Sequence, residues 1–169
     1  TALNINVDYI GLVFYYKSPR NLSITNARFL IKNRSKKSKI VALTVNPKDD
    51  FLFQIIENIK PDFIQLHGEE TPNRCEIIKE KFHVPLIKGI GVEKDMNLKK
   101  FIKPYEEICD ILILDAPSKE LPGGNGKKFN WEILKDYTSQ KKWMLAGGLN
   151  IKNIKDAINI TNPPAIDIS

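Results

Sequence analysis

Cysteine and histidine are scarce in this chain: Cys75, Cys109, His67 and His83 are the full set. Two cysteines with no CxxC between them cannot build a disulfide framework, and their scarcity fits a reducing, cytoplasmic setting. The histidines lie far apart and the cysteines show no ligand spacing, so no metal site is expected. No stretch approaches the roughly 18 apolar residues that a membrane span needs, so no membrane partner is expected. The opening residues, TALNINVDYI, have neither the basic start nor the long apolar run of a signal peptide. No Ser- or Pro-rich linker, low-complexity tract or shift in composition marks a domain boundary. Residues 1–169 therefore read as a single domain, long enough to bury a real core.

What is present is an ordinary globular composition, 42% hydrophobic and 27% charged. The net charge is +6 and the isoelectric point about 9.2. The densest basic run, IKNRSKKSK at 31–39, lies at a helix end, where the helix dipole and solvation favour Lys and Arg. No aromatic residues interleave with it, so the charge reads as a solvated surface and no nucleic-acid partner is expected.

Seven apolar runs read as strands: Tyr9–Tyr15, Lys39–Asn46, Asp62–Gly68, Pro85–Val92, Ile111–Ala116, Trp143–Leu149 and Ala165–Ser169. Most are apolar on both faces, as in parallel sheets covered by helices. Helical patterns fill the gaps. Ser23 is placed to cap the first. In NPKDDFLFQIIENIK the stripe is Phe51, Ile55, Ile56 and Ile59. In TPNRCEIIKEKF, Thr71 is the N-cap and Pro72 the first helical residue, with Cys75, Ile78 and Phe82 facing inward. NLKKFIKPYEE, NWEILKDYT and NIKNIKDAIN continue the alternation. Such βα units make an α/β fold with a parallel sheet, either an open doubly wound sheet or a closed (β/α)8 barrel. No GxGxxG follows the first strand, which weakens the dinucleotide version of the open sheet.

Polar groups gather at the strand C-termini: Arg20, Asn46, Gln65, His67, Lys88, Asp115, Gly147 with Gly148, and Asp167 with Ser169. In a barrel that end carries the chemistry. Each has a plainer role open to it. Asp115 either serves a site, caps a helix or pairs with a rim lysine. His67 is either a core histidine or a site group, and Arg20 a surface charge or a ligand. Gly147–Gly148 is either a tight turn or an approach of backbone N–H groups to phosphate. The loop GGNGKK, with Gly123, Gly124, Gly126 and Lys127, does not match GxxxxGK[ST] and reads as a lid over the site.

Taken together, these stretches resemble the phosphoribosylanthranilate isomerase family of tryptophan biosynthesis. The resemblance rests on IGLVFYYKSPRNLS, VALTVN, DFIQLHGEE, LIKGIGV, LILDAP with GGNGKKFNW, LAGGLN and AIDIS, and spans nearly the whole chain. It implies a (β/α)8 TIM barrel, here lacking the first strand and the last helix and so incomplete at both termini. It implies an Amadori rearrangement by general acid/base catalysis on a phosphosugar, with no metal and no organic cofactor. By the same resemblance Asp115 is the general acid, and Arg20 meets the anthranilate carboxylate. Gln65 and His67 line the pocket, while Gly147, Gly148, Asp167 and Ser169 lie where the phosphate site is built. It implies a monomer or homodimer, with fusion to another tryptophan-pathway enzyme left open. The sequence departs from the family in one respect. The family's general base is a Cys in a KICG-like motif at the end of its first strand, and this sequence has no such motif. The expectation is an inactive portion of an active isomerase, the alternative being a phosphosugar-binding barrel.

Overall fold

The apolar runs fold as strands and the 3.6-residue patterns between them as helices, so every residue needed at a strand end is delivered there by local sequence. The computed structural model describes residues 7–32, 37–94, 96–117 and 130–168. They fall into two units, Thr1–Leu86 and Ile87–Ser169.

The first unit runs β1 (Tyr9–Phe14), α1 (Ile24–Ile31), β2 (Lys39–Thr44), α2 (Asp49–Ile59), β3 (Phe63–Leu66) and α3 (Pro72–Phe82). β1 pairs with β2, and β2 with β3, all parallel, with Leu12 opposite Ala42 and Ala42 opposite Ile64. Strand alternation puts Leu12, Phe14, Ala42, Ile64 and Leu66 on one face. Phe14 meets Phe51 of α2 edge-on, so this is the helix-covered face. Val13, Leu43 and Gln65 look the other way. The caps are those expected. Ser23 Oγ accepts from the Asn26 N–H at 3.1 Å and Thr71 Oγ1 from the Arg74 N–H at 3.2 Å, with Pro72 at the start of α3.

Two helix faces differ in detail from the expectation. On α2 the buried residues are Leu52, Ile55 and Ile59, while Phe51 is 36% exposed. Leu52 stands three residues before Ile55 and seven before Ile59, on the centre line of the stripe. Phe51 sits at its margin, where the ring still reaches Phe14. On α3, Cys75 and Ile78 are buried as expected, and Phe82 is half-buried.

Asp49 opens α2 and accepts from Lys81 Nζ at 2.6 Å and Arg74 Nη2 at 2.5 Å. Hydrogen bonds from Lys81 and then Arg74 hold its carboxyl below the usual carboxylate range. A lowered folded-state value stabilises above the unfolded value of 3.8 and is lost as pH falls through the folded one. Asp49→Asn should therefore lower the thermal midpoint at pH 7, with the difference from wild type fading below pH 3.8. A difference that persists undiminished in acid contradicts the ion-pair account.

The second unit holds β4 (Leu86–Gly91) from its second residue on, then α4 (Leu98–Ile108), β5 (Ile111–Asp115), a 3-10 turn (Trp131–Leu134), β6 (Lys142–Leu145), α5 (Ile154–Thr161) and β7 (Ala165–Ile166). Its strands pair in chain order, all parallel. Lys88 lies opposite Leu112, and its Nζ sits 5.8 Å from the ring centre of Tyr105 on α4. That marks the helix-covered face. Asp115 shares its parity with Ile111 and Ile113 and therefore lies on the opposite, helix-free face. The helix expected in NWEILKDYT is only the short 3-10 turn. Tertiary contacts end it: the Tyr137 ring packs edge-on against Trp143 at 5.3 Å, and its hydroxyl donates to Glu106 at 3.1 Å. Burial, with the Glu106 carboxylate beside it, pushes the Tyr137 hydroxyl up to about 12. Among the described residues, no helix is long and apolar enough to cross a membrane.

Candidate active site

In the first unit the polar ends of β2 and β3 form one connected set. Gln65 is buried on the helix-free face, and its Nε2 lies 2.9 Å from His67 Nδ1. The ladder extends past β3, since the His67 N–H donates to the Thr44 carbonyl at 2.9 Å. Asn46 turns out of β2 with a left-handed φ of 46°. Its Oδ1 accepts from the Glu69 N–H at 2.9 Å. Glu70, only 4% exposed, accepts from the Asn46 N–H at 2.7 Å and the Gly68 N–H at 2.9 Å. Gly68 has no room for a side chain, because a Cβ there would stand 2.5 Å from Asn46 Oδ1.

Strand ends point to QLHG but not to Glu70, which lies beyond them. The signal was present in HGEE: a carboxylate two residues after a glycine, just before a helix cap. Asn46, read as a strand-end polar group, is a structural brace. Arg20 stands exposed in the turn after β1, its backbone N–H donating to Ser18 Oγ at 3.2 Å.

In the second unit Asp115 ends β5 and is 6% exposed. Its Oδ1 accepts from the N–H of the next residue, Ala116, at 2.7 Å. The ladder continues on both sides of it. The Val92 N–H donates to the Asp115 carbonyl at 2.9 Å, and the Ala146 N–H to the Leu114 carbonyl at 2.8 Å. The flanking positions are small. Gly91 lies opposite Asp115 on β4, and Ala146 follows β6. Gly147 and Gly148 then turn away with φ of 88° and 64°, a left-handed region where glycine is favoured. The Gly148 carbonyl accepts from Asn150 Nδ2 at 3.2 Å and from the buried Asn153 Nδ2 at 2.8 Å. The Asp167 N–H donates to the Leu145 carbonyl at 2.8 Å, so alternation carries Asp167 onto the same face as Asp115.

Lys88, 3% exposed, is on the other face against Tyr105. That removes it from the group of strand-end residues on the helix-free face. Gly123, Gly124, Gly126, Lys127 and Ser169 lie outside the described residues. Among the described residues, no group of three or more His, Cys, Asp and Glu side chains is placed to hold a metal ion.

Each unit thus turns its polar groups to the C-terminal ends of parallel strands, on the face its helices leave free. That is the placement of an active site in an α/β enzyme built from βα units. Comparison with known proteins agrees. The family model described as N-(5'phosphoribosyl)anthranilate (PRA) isomerase matches residues 1–169. The N-(5'-phosphoribosyl)anthranilate isomerase of Chelativorans sp. (strain BNC1) is 39% identical over 171 residues, which are 99% of this chain and 78% of that protein. The crystal structure of the phosphoribosyl anthranilate isomerase from Thermotoga maritima superposes with a TM-score of 0.82 at 30% identity, over 96% of this chain and 77% of that one. A second isomerase structure holds reduced 1-(o-carboxyphenylamino)-1-deoxyribulose 5-phosphate. It gives a TM-score of 0.79 at 28% identity, over 96% of this chain and 75% of that one. Pattern, strand-end placement and likeness along nearly the whole chain point the same way: the chain belongs to the N-(5'-phosphoribosyl)anthranilate isomerase family.

Proposed function

We infer that the protein catalyses the Amadori rearrangement of N-(5-phosphoribosyl)anthranilate to 1-(2-carboxyphenylamino)-1-deoxyribulose 5-phosphate. Residues 1–169 act in one (β/α) domain of a cytoplasmic enzyme of tryptophan biosynthesis, as a monomer or homodimer. The observation that carries the role of Asp115 is its place. It is a buried carboxyl at the end of an apolar strand, on the helix-free face, with Gly91 and Ala146 at its sides.

The reaction needs a proton at the furanose ring oxygen. The bond from that oxygen to C1 then breaks, and the anthranilate nitrogen lone pair closes a C=N bond. Asp115 supplies the proton. A base removes the C2 proton, giving an enolamine that tautomerises to the ketose. Neither cysteine is placed to be that base. Cys75 is buried on α3, and Cys109 is the buried C-cap of α4, before β5 begins. Arg20 is assigned to the anthranilate carboxylate, for which a guanidinium fork is suited. Gln65 and His67 orient the substrate, and Gly148 and Asp167 border the phosphate.

Product analysis tests the assignment. The substrate is incubated with the protein in its full natural length, and the mixture is reduced with borohydride. The expected product is the reduced aminoketose. Recovery of only the reduced aminoaldose and free anthranilate, from folded protein, rejects the assignment.

A further inference from the structure

We propose that Gly147 is a positioning residue for the acid Asp115, rather than one more contact to the substrate phosphate. The observation is steric. A Cβ on Gly147 would stand 2.5 Å from the Ala116 nitrogen, 2.9 Å from Ala116 Cβ and 2.9 Å from Asp115 Oδ1. Heavy atoms in van der Waals contact sit roughly 3.5–4.0 Å apart. The backbone after β6 is therefore pressed against the very turn that carries the carboxyl. The φ of 88° at Gly147 brings the chain across at that height, a conformation an L side chain rarely adopts.

Three groups that set the carboxyl's position meet in this contact. They are Oδ1, the Ala116 nitrogen whose N–H donates to it at 2.7 Å, and the Gly147 backbone that walls them in. With Oδ1 engaged by Ala116 and backed by Gly147, Asp115 has one face of its carboxyl fixed. Gly148 is the glycine whose carbonyl is tied into the Asn150–Asn153 turn. The two adjacent glycines thus divide the work: Gly147 fixes the acid, and Gly148 shapes the turn beside the phosphate.

This inference rests on Asp115 being the acid, and its test separates the two. In the active full-length protein, Gly147→Ala should lower kcat by about 10²-fold, the cost of displacing a catalytic group by about 1 Å. KM, and the dissociation constant for the reduced product analogue, should stay within a few-fold of wild type. Adding Ala116→Gly removes one of the three contacts that a Cβ at 147 would make, the one to Ala116 Cβ at 2.9 Å. The Gly147→Ala/Ala116→Gly protein should still fall by about tenfold or more in kcat, because the contacts to the residue 116 nitrogen and to Asp115 Oδ1 remain. It keeps the proposal testable if Gly147→Ala does not fold. A Gly147→Ala protein with raised KM and unchanged kcat overturns the proposal and makes Gly147 a phosphate contact. Wild-type kcat in either folded variant, beside an inactive Asp115→Asn, overturns it and leaves the acid assignment standing. Full activity in Asp115→Asn instead removes the acid assignment itself.

Discussion

Asp115→Asn should abolish most turnover while leaving the pocket intact. Asn has nearly the shape of Asp, and its Oδ1 can still accept from the Ala116 N–H that the carboxylate takes at 2.7 Å. Fold and ligand contacts are thereby kept, and the ionisable proton is removed. A general acid is worth roughly 10²–10⁴-fold in rate, so kcat should fall by about that factor. Binding of the reduced product analogue should change by no more than a few-fold, because the substitution touches a proton-transfer step and not a binding contact. Steady-state kinetics beside calorimetric titration of the analogue measures both. A variant that keeps its kcat shows that another group donates the proton.

Glu70→Ala should cost stability out of proportion to a single carboxylate. Glu70 is buried and receives two backbone N–H groups, from Asn46 on the β2 side and Gly68 on the β3 side. Alanine removes the acceptor from both, at about 1.5 kcal/mol for each charge-assisted hydrogen bond lost from a part-buried donor. The free energy of unfolding in urea should fall by about 3 kcal/mol. Glu70→Gln keeps one amide oxygen and should lose about half as much. The turn it braces also holds His67, so Glu70→Ala should weaken analogue binding before it unfolds the chain. An unchanged urea midpoint would show that the two N–H groups are satisfied without Glu70.

Much of this architecture was legible in the residues themselves. The seven apolar runs all became strands, because each is short, rich in β-branched and aliphatic side chains, and ended by turn residues. Ser23 and Thr71 capped the helices they precede, since a hydroxyl at that position has an N–H to satisfy three residues on. What failed to show were effects set by tertiary packing. The pattern NWEILKDYT reads as helical, yet the pull of Glu106 and Trp143 on Tyr137 leaves only a 3-10 turn. Period alone could not choose between Phe51 and Leu52 for the centre of α2. At the site, strand parity distinguishes Asp115 from Lys88: both are buried, but they stand on opposite faces of neighbouring strands. Only register shows this, because a strand's inward face is a matter of one residue. The load on Gly147 was equally hidden. A glycine pair signals a turn, but not which neighbouring atoms the missing side chain makes room for.

The measurement that tests the account most directly is the rate at which the purified full-length protein consumes freshly made N-(5-phosphoribosyl)anthranilate, followed by the fluorescence of its anthranilate ring. The expected result is a saturable rate that the reduced product analogue inhibits competitively. A protein that is folded by circular dichroism yet leaves the fluorescence at its uncatalysed decay would contradict it.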